Sequence, residues 1–164
     1  ETIGERMNKD EDVLFLFLTS HGSADGVFEL NNAPLQIQSL TPDWLKNQLD
    51  SAGIKWRVVV VSSCFSGTFI PPLQDTNSLI ITASAANKTS FGCADDADFT
   101  YFGRAFFDEA LRQEHSLVKA FEAAKVSIAE REKEEGFAPS QPQIYMGAEM
   151  EQALPVLEQG LFPE

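Results

Sequence analysis

The stretch Val13–Gly22, which reads VLFLFLTSHG, decides the fold class and points to the site. Its six apolar residues, Val13 to Leu18, lack the alternation of a half-exposed strand. They therefore predict a strand covered on both faces, as in a parallel sheet. Open α/β sheets place their chemistry in the loops just beyond the carboxyl ends of the strands. Thr19, Ser20, His21 and Gly22 occupy that position.

The rest of the chain alternates predicted helices with predicted strands. Glu1–Asp12 is expected to form the last turns of a helix. Further helices are expected from the Thr41 cap to Gly53, with Trp44, Leu45 and Leu49 facing the core, over Phe99–Gln113, and from the Ser116 cap to Gly136. Further strands are expected over Arg57–Val61, Leu79–Thr82 and Gln143–Met146. This alternation predicts one α/β domain over 1–164, with a parallel sheet covered by helices and a C-terminal extension over 148–164.

Composition limits the classes of function. The chain has 164 residues, 43% of them hydrophobic, and a net charge of −13 from 25 acidic and 12 basic side chains. This suits one domain with its own core. It shows no basic stripe, so a nucleic-acid partner is not expected. No apolar run reaches the ~18 residues of a membrane span and no signal peptide is visible, so localisation stays unassigned.

Cys64 follows the valine-rich second strand as His21 follows the first. If the two strands are neighbours, the imidazole and the thiol meet at one end of the sheet. The unperturbed pKa values of Cys and His are about 8.5 and 6.5, so a nearby imidazole can take the thiol proton or stabilise the thiolate. The N–H groups of Gly22 and Cys64 are candidates to hold a developing oxyanion.

Each of these residues also has an ordinary structural interpretation. A lone Cys after a strand is usually a small buried hydrophobe, and a lone His is often a hydrogen-bonded structural residue. Cys64 and Cys93 are compatible with one disulfide or with two free thiols. The order of apolar block, His-Gly, helix, apolar block and Cys is rarer than either residue alone, and it favours a catalytic pair.

The ordered motifs resemble those of the caspase-like cysteine peptidases, and among them the legumain family. The matching segments are His21-Gly22, Cys64-Phe65-Ser66-Gly67, Thr82–Asn87, Thr89–Cys93, Phe99–Gly103 and Gln143–Gly147. Phe99–Gly103 is also similar to the catalytic subunit of the glycosylphosphatidylinositol transamidase. The resemblance implies a caspase-like three-layer sandwich, with a mostly parallel sheet and helices on both faces.

The resemblance also implies an activity. A cysteine endopeptidase of this kind uses Cys64 as nucleophile, His21 as base and acid, and the Gly22 and Cys64 N–H groups as oxyanion hole. Its partner is a peptide or protein substrate, and it needs no metal or organic cofactor. Asp95–Asp98 lacks the spacing of an EF-hand loop, so a calcium site is not favoured there.

The candidate substrate-binding residues depart from the family pattern. They are Ser62, Ser84, Thr89, Ser90 and Arg104. Ser62 stands where legumains carry a Glu and Arg104 where they carry an Asp, so asparagine specificity is not expected. Arg104 favours an acidic side chain before the scissile bond if it lines the pocket. The alternative places it on the exposed face of its helix.

The N-terminal helix indicates that a strand is expected before Glu1. A crossover helix near the N-terminus should follow a strand of its own, and the family has one there, so we expect the first strand to be missing from this chain. That missing N-terminal part is the one further partner expected. Two other functions stay open: a transamidase that shares the acylation step, and a non-catalytic interaction module with the same fold.

Overall fold

The computed structural model describes residues 3–30, 34, 39–92 and 100–162. The strands are β1 Val13–Thr19, β2 Trp56–Ser62, β3 Ser78–Thr82 and β4 Gln143–Met146. The helices are α1 Ile3–Arg6, α2 Pro42–Ala52, α3 Ile70–Leu73, α4 Tyr101–Gly103, α5 Leu117–Glu135 and α6 Ala148–Leu161. A 3-10 helix, Ser66–Phe69, precedes α3, and a π-helix, Arg104–Ala110, continues α4. Every predicted strand is present within one residue of its expected bounds.

The four strands form one sheet in the order β1-β2-β3-β4. β1, β2 and β3 are parallel, and β4 is antiparallel to β3. The first two strands pair in register from Val13 opposite Trp56 to Thr19 opposite Ser62. The predicted α/β class with a mostly parallel sheet is therefore confirmed.

Two hydrophobic clusters lie on the two faces of the sheet. Val58 and Val60 point into a cluster with the π-helix, α5 and α6, whereas Val59 and Val61 point into a second one with α2 and the 3-10 helix. All four valines are buried, because each face of β2 is covered by helices. A strand buried on both sides needs apolar residues at consecutive positions, which explains the continuous run.

β1 is less buried than its apolar run predicts. Its side chains contact both clusters, but most are only half-buried and Phe17 is exposed. The reason is its place in the sheet: among the described residues, β1 pairs with β2 alone. Phe17 instead packs edge-on against Phe107 of the π-helix, with ring centroids 4.6 Å apart.

The helix ends follow the predicted chemistry at α2 and at Gly136, which closes α5 with φ of +74°, but not at the N-terminus of α5. Thr41 accepts the N–H of Trp44 at 3.3 Å, and Gly53 closes α2 with φ of +69°. At α5, Ser116 occupies the cap position without a side-chain hydrogen bond. The N–H of Leu117 donates instead to the carboxylate of Glu158 in α6 at 2.7 Å. The prediction that the Ser116 side chain caps this helix is therefore wrong.

Two other helix predictions need correction. Leu45 and Leu49 are buried as expected, but Trp44 is 50% exposed, since one helix face cannot bury three residues spaced this way. The segment predicted as the helix Phe99–Gln113 changes to π-helix at Arg104. There the N–H of Leu111 donates to the carbonyl of Phe106, five residues earlier, at 2.9 Å.

The segment 148–164, predicted as an extension, contains a helix that packs on the core. Met150 and Leu154 of α6 are buried in the same cluster as the π-helix and α5. The helix begins beside Gly147, whose N–H donates to the carbonyl of Ser78 at 2.9 Å. No helix within the described ranges is long and apolar enough to cross a membrane.

We expect Gly147→Ala to destabilise the protein. A Cβ at this position would overlap the carbonyl oxygen of Asp75 and main-chain atoms of Thr76. Such overpacking typically costs ~1–3 kcal/mol. The control is Gly160→Ala in the last turn of α6, where a Cβ would meet no atom within 4 Å, so this change should not lower the stability. Urea unfolding should place the midpoint of Gly147→Ala below that of the wild type and the midpoint of Gly160→Ala at or above it; a Gly147→Ala midpoint at or above the wild type would contradict this packing.

Candidate active site

His21 and Cys64 lie at the same end of the sheet, after neighbouring strands. The last pair in the β1–β2 register is Thr19 with Ser62, and each candidate residue follows two positions later. The N–H of Ser20 continues the ladder to the carbonyl of Ser62 at 3.3 Å. The side chain of His21 is exposed and that of Cys64 is half-buried at this edge. The predicted convergence of the two chain segments therefore has its structural basis in parallel pairing.

Gly22 lies directly against Cys64. A Cβ at Gly22 would overlap the carbonyl oxygen of Cys64 and would lie 3.0 Å from the Oγ atom of Ser63. Only glycine permits this approach of the two main chains. The contact connects the loop after β1 to the loop after β2 without an intervening side chain.

The loop after His21 is fixed by a short antiparallel bridge between Gly22 and Phe28. Its hydrogen bonds run from Glu29 N–H to the carbonyl of His21 at 2.9 Å and from Ser23 N–H to the carbonyl of Val27 at 3.0 Å. The bridge therefore does not use the N–H of Gly22. Among the described residues, no main-chain acceptor takes the N–H of Gly22 or that of Cys64. Both N–H groups are thus candidates to hold an oxyanion.

The free thiol of Cys64 faces the main chain of Ser90. The Ser90 N–H donates to Sγ at 3.2 Å, and Sγ lies 3.4 Å from the Ser90 carbonyl oxygen. These two contacts hold the sulfur against the main chain of Ser90. Ser90, predicted to bind substrate, is buried, and its contact with Cys64 is made by its main chain.

The turn after Cys64 is held in an uncommon conformation. Phe65 has φ of +57°, in the left-handed region that a non-glycine residue adopts at a cost of order 1–3 kcal/mol. Its N–H donates to the carbonyl of Lys88 at 2.7 Å, and its carbonyl accepts the N–H and the hydroxyl of Thr68 at 3.0 and 2.8 Å. These three hydrogen bonds fix the direction in which the chain leaves the thiol.

Ser66 and Ser84 bind each other beneath the thiol. Each hydroxyl accepts the other residue's N–H, at 3.1 Å for Ser66 N–H and 3.0 Å for Ser84 N–H. The Ser84 hydroxyl also donates to the carbonyl of Ser63 at 3.0 Å. Ser84, predicted to bind substrate, is completely buried, so its contacts connect β3 to the Cys64 turn.

Ser62, also predicted to bind substrate, is buried at the end of β2. Its Oγ atom lies 3.1 Å from the Oγ atom of Thr100, which accepts the N–H of Gly103 at 2.9 Å. This hydrogen bond of Ser62 therefore links the end of β2 to the N-cap of α4. In this structure its side chain has no surface for direct contact with a substrate.

Thr89 and Arg104 are both exposed, but only Thr89 adjoins the thiol region. Thr89 precedes Ser90 in the loop that contacts Cys64. The Arg104 side chain is 55% exposed and its Nε atom lies 2.9 Å from the carboxylate of Glu109. The same carboxylate lies 3.9 Å from Arg131. These contacts occupy Arg104 on the surface of the π-helix.

An aromatic cluster next to the thiol region was not predicted. Phe91, which follows Ser90, stacks on Phe137 with ring centroids 4.5 Å apart, and Tyr101 adjoins Phe137 at 6.2 Å. The Tyr101 hydroxyl donates to Glu135, and this hydrogen bond raises the pKa of the tyrosine. The aromatic residues are far apart in the sequence, so no local pattern announces the cluster.

Ser63 is a further residue of this region that was not predicted. It is only 2% exposed, and its Oγ atom has no hydrogen-bond partner among the described residues. A buried hydroxyl without a partner costs ~1–3 kcal/mol. The alternation of side chains at the end of β2 was the available signal, since it directs Ser63 away from Ser62 and towards Gly22.

Two predictions concern residues outside the described ranges: the alternatives for Cys93 and the interpretation of Asp95–Asp98. Within the described ranges, no group of three or more His, Cys, Asp or Glu side chains is arranged to hold a metal ion.

Comparison with known proteins gives consistent matches. Residues 5–152 match the Peptidase C13 family. Legumain of Canavalia ensiformis is 36% identical over 84 residues, which are 50% of this chain and 18% of that protein. A vacuolar-processing enzyme of Phaseolus vulgaris is 33% identical over 87 residues, 52% of this chain and 17% of that protein. The aligned part thus spans less than a fifth of either relative, but the family match covers most of the chain: this protein belongs to the Peptidase C13 family.

Proposed function

We propose that the chain carries the catalytic site of a cysteine endopeptidase. The observation that supports this most strongly is the β1–β2 register, which brings His21-Gly22 and Cys64 to one end of the sheet with Gly22 packed on Cys64. Membership of the Peptidase C13 family supports the same function. The thiol, the imidazole and the two candidate N–H donors are the parts that acyl transfer requires.

The proposed reaction proceeds in two stages. His21 accepts the thiol proton, the sulfur of Cys64 attacks the peptide carbonyl, and the resulting oxyanion is held by the N–H groups of Gly22 and Cys64. The tetrahedral intermediate collapses, and His21 protonates the leaving amine. Water then attacks the thioester, with His21 as base, and releases the acid and the free thiol.

The contacts around Cys64 suit this chemistry. The Ser90 N–H donates to the sulfur at 3.2 Å and fixes its position, and the buried Ser66–Ser84 pair holds the turn that carries the sulfur. We propose that Ser62 and Ser84 position the site from below, whereas Thr89 and Ser90 border the bound substrate. These roles rest on the near-complete burial of Ser62 and Ser84, on the exposure of Thr89, and on the main-chain contact of the buried Ser90 with the thiol.

We expect specificity to differ from an asparagine preference. The two positions that carry acids in legumains hold Ser62 and Arg104 here, and Ser62 is buried. The ion pair between Arg104 and Glu109 supports the alternative in which Arg104 belongs to the exposed helix face. A preference for acidic side chains would require Arg104 to leave that carboxylate. A peptide library varied at the residue before the scissile bond separates the two.

The first test is the reactivity of the Cys64 thiol. In a Cys93→Ala background at pH 7, iodoacetamide should alkylate Cys64 up to about thirtyfold faster than the same protein with His21→Ala, because an unassisted thiol of pKa ~8.5 is only ~3% ionised. His115→Ala is the control, since that ring stacks on Phe162. Equal rates in the two histidine variants would exclude the pair, and slow alkylation of the parent would favour a non-catalytic module.

The second test separates hydrolysis from amine transfer. With a peptide substrate and an added amine nucleophile, an endopeptidase should yield mainly the free acid, because water resolves the thioester. Mass spectrometry of the products measures the ratio. A predominant amide product would instead assign the transamidase reaction, and Cys64→Ala should remove both products.

The third test concerns Ser84. We expect Ser84→Ala to lower the stability by ~1–3 kcal/mol, because it leaves the buried Ser66 N–H and Ser63 carbonyl without a partner. The rate of Cys64 alkylation should fall with it, as the turn loosens. Ser127→Ala is the matched control, since that hydroxyl makes one long contact of 3.5 Å with Glu109. Thermal unfolding and alkylation measured together should agree; unchanged values for both would remove Ser84 from the site.

A further inference from the structure

The proposed mechanism gives no task to Ser63, which directly precedes Cys64. Its neighbour Ser62 points to Thr100 on one face of the sheet, and Ser63 points to the other face. It is 2% exposed, and its Oγ atom finds no partner within the described part of the chain. Buried hydroxyls are nearly always hydrogen-bonded, so this exception calls for an explanation.

The hydroxyl lies against the main chain of Gly22. A Cβ at Gly22 would be 3.0 Å from Oγ and 3.2 Å from Cβ of Ser63, and it would overlap the Cys64 carbonyl oxygen. The N–H of Gly22 is not used by the bridge to Phe28. An unpartnered hydroxyl therefore lies beside the main chain of Gly22, whose N–H is one of the two groups assigned to the oxyanion.

We propose that Ser63 is a positioning residue of the oxyanion site, which acts through Gly22. Its hydroxyl has no partner in the free protein and forms a hydrogen bond with the Gly22 segment when the tetrahedral intermediate forms. This inference rests on the proposed function. An interaction that is stronger in the transition state than in the ground state raises kcat, whereas one that is equal in both lowers KM alone.

The same reasoning explains why a serine stands at this position. Alanine would fill nearly the same space and would leave no unpaired group in the free protein. An unpaired hydroxyl raises the free energy of the free enzyme, and a hydrogen bond formed during the reaction lowers that of the transition state. Both effects lower the activation barrier. Rotation about the Cβ–Oγ bond moves only the hydrogen, so the new hydrogen bond also requires the Gly22 main chain to move towards Oγ.

Ser140 provides a matched control. It is 1% exposed, and its Oγ atom is the other buried side-chain oxygen without a partner among the described residues. Its N–H donates to the carboxylate of Glu132, and its carbonyl accepts the N–H of Ala85. Its hydroxyl has no contact with Gly22 or Cys64. Replacing either serine by alanine thus removes the same kind of group, once beside the thiol and once away from it.

The first measurement compares Ser63→Ala with Ser140→Ala in the intact natural protein. We expect Ser63→Ala to reduce kcat for a peptide substrate about tenfold with KM within about twofold, because a donor in direct contact is worth ~10²–10³ and Ser63 acts indirectly. The melting temperature should stay at or above that of the wild type. Ser140→Ala should share the thermal behaviour and keep the wild-type kcat.

A second measurement separates the oxyanion site from the thiol. A peptide aldehyde forms a tetrahedral adduct with Cys64, whereas iodoacetamide alkylates the sulfur without forming an oxyanion. Ser63→Ala should weaken aldehyde binding by the same factor as kcat and leave the alkylation rate unchanged. Unchanged aldehyde binding, or a parallel loss of alkylation, would overturn the role of Ser63.

The proposed function and this inference fail differently. If Cys64→Ala abolishes cleavage and Ser63→Ala matches Ser140→Ala, the peptidase proposal stands and the role of Ser63 does not. If the wild type neither cleaves peptides nor binds the aldehyde, both are contradicted.

Discussion

The structure depends on the approach of two main chains, at Gly22 and at the carbonyl of Cys64. Parallel pairing of β1 with β2 delivers both residues to one edge, and the absence of a side chain at Gly22 lets the two loops touch. A contact between main chains is insensitive to rotamer changes, so it fixes the separation of the imidazole-bearing and thiol-bearing segments more firmly than side-chain packing does. Hydrogen bonds of Ser90, Lys88 and Thr68 with Cys64 and Phe65 further fix the loop after β2.

Much of the fold is predictable because its signals are local. The valine run of β2 and the apolar run of β1 show strands between helices, and Thr41 and Gly53 mark the ends of α2 through their own backbone and side-chain chemistry. The positions of His21 and Cys64 after neighbouring strands follow from the same alternation. The resemblance in the ordered motifs agrees with the Peptidase C13 match.

What the sequence did not reveal depends on partners that are distant along the chain. The exposure of Trp44 depends on which helix face the sheet covers, and the π-helix depends on how Phe106 and Leu111 meet α5 and α6. Ser84 is predicted to bind substrate because it lies in Thr82–Asn87, a segment that resembles legumains, but its hydroxyl is satisfied by Ser66 and Ser63. Arg104 likewise has a carboxylate five residues ahead, which a motif comparison does not consider.

The hydrogen bond from Leu117 N–H to the Glu158 carboxylate has a consequence for the way the molecule comes apart. A side chain of α6 caps the N-terminus of α5, and Met150 and Leu154 of α6 pack in the hydrophobic cluster beneath both helices. Fraying of the C-terminal helix would therefore uncap α5, and the two should behave as a single cooperative unit in hydrogen exchange. Removing C-terminal residues that include Glu158 should therefore also destabilise the N-terminus of α5.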